Sequence, residues 1–145
     1  MRRSLAFFLP ALGIAAADQL TKLWIRQNLA LGQSLPPEGV IRLTHIPNQG
    51  GAFGLSASPW FLISITGAVL LSLLLFYRQI SSLSLRASLG LIMGGGVGNL
   101  VDRLGQGYVT DFIDLRVWPV FNLADSAITI GSLLALYLIL FRRKK

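Results

Sequence analysis

Four stretches of this chain are apolar over about the length a helix needs to cross a bilayer, roughly 20 residues at 1.5 Å of rise each. They cover about 5–25, 60–77, 87–104 and 121–141, and the stretch from Trp60 to Tyr77 contains no charged residue. In hydrocarbon no water satisfies backbone N–H and C=O groups, so these spans are helices rather than loops or open sheets. Composition agrees: 53% of residues are hydrophobic and 13% charged, against about 25% charged in a typical soluble domain. Too little charge is available to cover a water-facing surface. The chain therefore reads as an all-α integral membrane protein. It has four transmembrane helices, one membrane domain over 1–145, and a small extracytoplasmic β-rich segment between helices 1 and 2.

The net charge of +7 invites a nucleic-acid reading until the charges are located. Arg2, Arg3, Arg78, Arg86, Arg142, Arg143, Lys144 and Lys145 flank one set of span ends, with no acidic residue among them. Lys22, Arg26, Arg42, Arg103 and Arg116 share the other side with all six acids, Asp18, Glu38, Asp102, Asp111, Asp114 and Asp125. The positive-inside rule puts both termini in the cytoplasm. The excess charge is a topology signal with an affinity for anionic lipid, and no nucleic-acid partner is expected.

The N-terminus also mimics a cleavable signal peptide: Met1-Arg2-Arg3, an apolar run, then Ala15-Ala16-Ala17. Helical periodicity favours retention. Asp18 and Lys22 lie at i, i+4 on one face, and Leu20, Leu23, Trp24 and Ile25 continue the span.

The two outer segments cover about 28–58 and 105–120. In the first, Pro36-Pro37 is a break, Val40–Ile46 reads as a strand and Asn48-Gln49-Gly50-Gly51 as a turn. The second reads as extended from Tyr108 to Trp118. A small sheet on the membrane surface is expected, with Trp60 at the interface.

Zero cysteines and a single histidine, His45, exclude a thiol nucleophile and a multi-histidine zinc site within one chain. Gly94-Gly95-Gly96-Val97-Gly98 lacks the strand and the Gly-Lys-Ser/Thr of a nucleotide loop; inside an apolar span, small residues let helices approach closely. Ionisable residues near a span are costly and are functional candidates. Asp18 pairs with Lys22 in spacing, Asn99 aligns with Asp102 and Arg103, and Asn122 with Asp125. Each has a structural reading: neutralising pairs at helix ends, interhelical amides, a turn at Asn48, a surface or strand position for His45, a helix cap at Asp125. Asp111 has no basic neighbour in sequence and is the hardest to explain as structure. Among hydrolytic chemistries, this composition leaves mainly a carboxylate pair.

Five segments in order carry a resemblance: Asp18-Gln19-Leu20-Thr21-Lys22, Asn48-Gln49-Gly50-Gly51-Ala52-Phe53, Gly98-Asn99-Leu100-Val101-Asp102-Arg103, Val109-Thr110-Asp111-Phe112-Ile113 and Phe121-Asn122-Leu123-Ala124-Asp125-Ser126. Together they resemble the lipoprotein signal peptidase (signal peptidase II) family of bacterial membrane aspartic peptidases, over essentially the whole chain. The resemblance implies removal of signal peptides from prolipoproteins, with cleavage before a cysteine that carries diacylglycerol. It implies a catalytic pair at Asp111 and Asp125, substrate contacts from Asn48, Asn99, Arg103 and Asn122, and site support from Asp18, Lys22 and Asp102. It also implies a monomer in the bacterial cytoplasmic membrane, partnered by prolipoprotein signal peptides and lipids, with its site near the outer face. Gly51 stands where the family often has Ala, and the link from Asp111 to Asp125 is short.

The chemistry fits two carboxylates that cannot both ionise easily, one activating water and one polarising the scissile carbonyl. It requires no metal, cofactor or covalent intermediate. A small proton-coupled transporter or channel subunit is the competing reading, since intramembrane Asp residues serve such proteins. It predicts acids near the midplane and pseudo-symmetric halves, whereas here the acids gather on one side and no repeat is present. A non-enzymatic scaffold leaves Asp111 unexplained.

Overall fold

The computed structural model describes residues 2–52, 55–56 and 58–141. Arg142, Arg143, Lys144 and Lys145, part of the topology signal, lie outside the described residues, as does Phe53 of the second motif. Four α-helices form the body: α1 (Arg2–Asn28), α2 (Pro59–Phe76, continued by a 3-10 turn over Tyr77–Gln79), α3 (Leu83–Gln106) and α4 (Leu123–Phe141). Their ends follow local rules. Pro59 opens α2 at a position where a missing N–H costs nothing. The Ser82 hydroxyl accepts the N–H of Leu85 at the start of α3. Gly107, left-handed at φ 78°, closes α3 by donating to the Arg103 carbonyl.

Among the described residues three helices, α1, α2 with its 3-10 turn, and α4, are long and apolar enough to cross a membrane. The third span read from the sequence, 87–104, falls within α3 but α3 is not among them; it carries Arg86, Asp102 and Arg103 and many glycines. Those glycines set its place. A Cβ at Gly90 or Gly94 would collide with the α1 carbonyls of Phe7 and Ala11. At Gly95 it would strike the Ala124 carbonyl of α4, and at Gly96 the Leu70 side chain of α2. Glycine lets α3 press against the backbones of α1 and α4 and gives room to the Leu70 side chain of α2, the close-packing reading of this run.

Burial is inverted relative to a soluble protein. Leu9, Leu12 and Leu20 of α1 are 66–70% exposed, while Asp18 and Lys22 of the same helix are fully enclosed. This is the arrangement expected when lipid is the solvent and polar groups must be satisfied inside. At one end, the aromatic rings of Phe7 and Tyr77 stack at 4.7 Å. Beside them the buried Arg86 guanidinium donates to the carbonyls of Arg3, Arg78 and Ile80, tying the start of α1 to the α2–α3 turn.

At the other end sits an antiparallel sheet in the order β1 (Ser34–Leu35), β2 (Arg42–Asn48), β5 (Val109–Asp114). A separate short hairpin pairs β3 (Gly51–Ala52) with β4 (Leu55–Ser56). The β-rich segment expected between helices 1 and 2 is joined by β5, from the α3–α4 connection that reads as extended, which supplies one edge of the sheet. Leu43 faces Ile113, Ile46 faces Asp111 and Asn48 faces Val109, with an irregularity between Leu43 and Ile46. The expected extended run to Trp118 stops at Asp114. The Asp114 carboxylate accepts the N–H of Arg116, which takes a positive φ of 66° and turns the chain. Arg42 and Thr44 on β2 also donate to Asp114. His45 is in β2 as read, but buried, with Nδ1 against the Leu29 carbonyl at 2.9 Å.

Candidate active site

The sheet and the helix ends beside it converge on a buried polar network. Its foundation is Lys22, whose ammonium reaches Asp18 Oδ2 at 2.8 Å, Asp102 Oδ2 at 3.2 Å and Asn99 Oδ1 at 2.9 Å. Asp18 also accepts the Ala124 N–H at 2.9 Å. Asp102 accepts the Thr110 N–H at 3.0 Å and the Gln19 amide at 3.0 Å, and Arg26 donates to the Thr110 hydroxyl at 3.1 Å. α1 and α3 thereby hold the first strand positions before Asp111. Gln19, Arg26 and Thr110 were missed as contributors; Gln19 and Thr110 lie inside quoted motifs, but nothing in their spacing reports these partners.

Two carboxylates crown the network. Asp111, from β5, accepts the Asn48 amide at 2.8 Å on one oxygen and the Asn122 amide at 2.7 Å on the other. Asp125, from the first turn of α4, accepts the Asn99 amide at 2.8 Å. The capping reading at this helix start holds in altered form. Asn122 is the cap, its Oδ1 accepting the Asp125 N–H at 2.9 Å, while the Asp125 carboxylate faces back to the Asn122 N–H at 3.3 Å. The reciprocal pair is a capping box, so α4 starts at Leu123 rather than Phe121 and the cap presents Asp125.

Asp111 and Asp125 line one cavity of about 300 Å³ together with Asn48, Arg103, Leu62 and Phe121. Burial pushes the Asp111 carboxyl up to about 6. The charge of Asp125 pushes the same way, against the Asn48 and Asn122 amides and the Lys22 charge. Burial and the neighbouring acid thus favour the protonated form of Asp111 relative to an exposed carboxyl. Arg103 contributes the cation on the wall, and its Nε is buried with no hydrogen-bond partner among the described residues. Asn99 and Asn122, read as substrate contacts, do not line this cavity; their amides are engaged with Lys22, Asp111 and Asp125.

Apolar helices turned outward around an enclosed polar network, ending in two carboxylates on one cavity, define a helical membrane enzyme. The chain belongs to the signal peptidase II family: residues 10–141 match the family described as signal peptidase (SPase) II. It is 47% identical over 132 residues to the lipoprotein signal peptidase of Moorella thermoacetica, covering 88% of each chain. It is 41% identical over 135 residues to that of Halothermothrix orenii, covering 90% of this chain and 93% of the relative. A bacterial membrane enzyme solved by the in meso method at 2.3 Å has the same fold, with a TM-score of 0.84 at 31% identity over 94% of this chain and 90% of that one. The protein is therefore a membrane-bound peptidase that removes signal peptides.

Proposed function

We propose that this protein is an aspartic endopeptidase that cleaves prolipoproteins before a diacylglyceryl-modified cysteine, using Asp111 and Asp125 as its catalytic pair. The observation that carries this reading is the shared cavity, in which Asp111 is held up to about 6 beside Asp125. One ionised carboxylate takes a proton from water as it attacks the scissile carbonyl. The protonated partner polarises that carbonyl and then protonates the leaving amine. Asn48 and Arg103 face the cavity and bind the substrate backbone; Asn99 and Asn122 orient the carboxylates.

Two further cavities, both apolar, lie along α2. One cavity of about 170 Å³ lies between Ile65, Val69, Ile92 and Ile128, and one of about 360 Å³ between Ile65, Val69, Leu73 and Leu89. These suit the apolar helix of a signal peptide entering sideways from lipid. α3 is the fourth span, its polar ends and glycines screened by the other three helices. The chain is one membrane domain working as a monomer in the cytoplasmic membrane, with both termini inside and the site near the outer face.

The test uses purified protein in detergent with a diacylglyceryl-modified precursor peptide, followed by mass spectrometry, and an unmodified precursor as control. Cleavage before the modified cysteine is expected from the parent and not from Asp111→Asn or Asp125→Asn. Parental rates from either folded variant would sink the aspartic mechanism.

A further inference from the structure

We propose that Lys22 is a positioning residue for the carboxylate pair, acting through the amide of Asn99. The inference rests on the reading of Asp111 and Asp125 as the catalytic pair. Two of the three N–H groups of the Lys22 ammonium meet carboxylates, Asp18 and Asp102, which suffices to neutralise it. The third goes to a neutral acceptor, Asn99 Oδ1, at 2.9 Å, and that acceptor leads to the site.

An amide can face either way, and its partners decide. Asn99 Oδ1 takes two donors, Lys22 Nζ and Asn122 Nδ2 at 3.2 Å, so Asn99 Nδ2 faces Asp125 Oδ1 at 2.8 Å. The flipped amide would set its NH₂ against an ammonium and another NH₂, and its oxygen against a carboxylate. All three encounters are repulsive. The Asn122 amide that shares Asn99 Oδ1 also donates to Asp111 Oδ1 at 2.7 Å. One enclosed ammonium therefore sets the polarity of the Asn99 amide on Asp125. Asn99 Oδ1 in turn holds the Asn122 amide, itself oriented by the Asp125 N–H it accepts, against Asp111. Lys22 is fully buried. Its charge also favours ionised Asp111.

A purely structural Lys22 would neutralise Asp18 and Asp102 and nothing more. The two roles separate in a double-mutant cycle of Lys22→Met and Asn99→Ala, with kcat, KM, pH–rate profile and thermal unfolding measured in detergent on the lipid-modified precursor. Lys22→Met is expected to lower kcat roughly 10- to 100-fold, the effect of losing a hydrogen bond to a charged group, with little change in KM. Its acidic limb should move to higher pH. Lys22→Gln, which keeps a donor without the charge, should recover part of the lost kcat. In the Asn99→Ala background Lys22→Met should cost little more. Additive losses, or an unmoved pH profile with parental kcat in the folded fraction, overturn the proposal. Asn99→Ala leaves both ion pairs of Lys22 in place, so a stable Asn99→Ala enzyme with parental kcat overturns it even if the Lys22 variants do not accumulate. Activity retained by Asp111→Asn or Asp125→Asn in the same assay overturns the catalytic-pair reading itself, an outcome distinct from additivity between Lys22 and Asn99.

Discussion

Asp18 in α1 accepts the backbone N–H of Ala124 in the first turn of α4 at 2.9 Å, across a separation of 106 positions. A carboxylate from one helix thus satisfies an orphan donor at the N-terminus of another, where the helix dipole favours negative charge. The contact fixes the turn that presents Asp125. Gly98 leaves the room for it, since a Cβ there would run into the Asp18 carboxylate.

Asp18→Ala is therefore expected to destabilise the protein by about 1–3 kcal/mol, the range for a buried polar group left without its partner. Gly98→Ala should act in the same direction by displacing the acid. Thermal unfolding in detergent reads both; unchanged Tm values would show that the contact carries no stability.

Asp111→Asn and Asp125→Asn should each lower turnover by at least ~100-fold, since a general acid or base contributes typically ~10²–10⁴. The double variant should be scarcely worse than either single one, because the two groups act as a unit. In cells the lipidated, uncleaved precursor should accumulate. Multiplying losses in the double variant would argue for independent roles.

Two acids of one strand should respond to pH in opposite senses. Asp111 is pushed up to about 6 by burial. Its contribution to stability is present below the ordinary carboxylate range, about 3.9, and is lost as pH rises through about 6. The Asp114 carboxyl is held low by hydrogen bonds from Arg42 and the Arg116 N–H. Its contribution is present above the ordinary range and lost as pH falls below it. Tm measured from pH 3 to 8 should show Asp111→Asn abolishing a loss between about 4 and 7. Asp114→Asn should lower Tm at neutral pH yet keep substantial turnover.

Arg103→Ala should damage turnover more than Arg116→Ala. Arg103 lines the cavity with a buried Nε that has no partner among the described residues, whereas Arg116 is exposed and bonds to Asp114 through its backbone. Lower Tm with normal turnover in Arg103→Ala would make that residue structural.

Reporter fusions at Lys145 and in the 28–58 segment should lie in opposite compartments. Arg86 binds the carbonyl of Arg3, so α1 and α3 start at the same end, the end rich in Arg and Lys. One compartment for both fusions would refute the four-span arrangement.

The helices were legible because hydropathy and backbone satisfaction in lipid act locally. α3 was legible as a helix but less plainly as a span, since its Arg86, Asp102 and glycines are tolerated only where other helices screen them. Asp18 with Lys22, and Asn122 with Asp125, were visible as pairs at helical spacing. What each pair touches was not: a spacing of three or four residues fits a helix cap, an ion pair or an interhelical bond equally well.

The residues by themselves determined a lipid-solvated helical chain, the end at which its acids gather and, through five ordered motifs, its family. Only the tertiary structure decided that β5 closes the sheet against β2, that Asn122 caps α4 and so presents Asp125, and that Lys22 reaches Asn99. These contacts join groups far apart in sequence: Asn48 meets Asp111 across 63 positions and Lys22 meets Asn99 across 77. Periodicity carries information over a few helical turns, whereas a buried hydrogen bond forms wherever packing brings a donor and an acceptor together away from water.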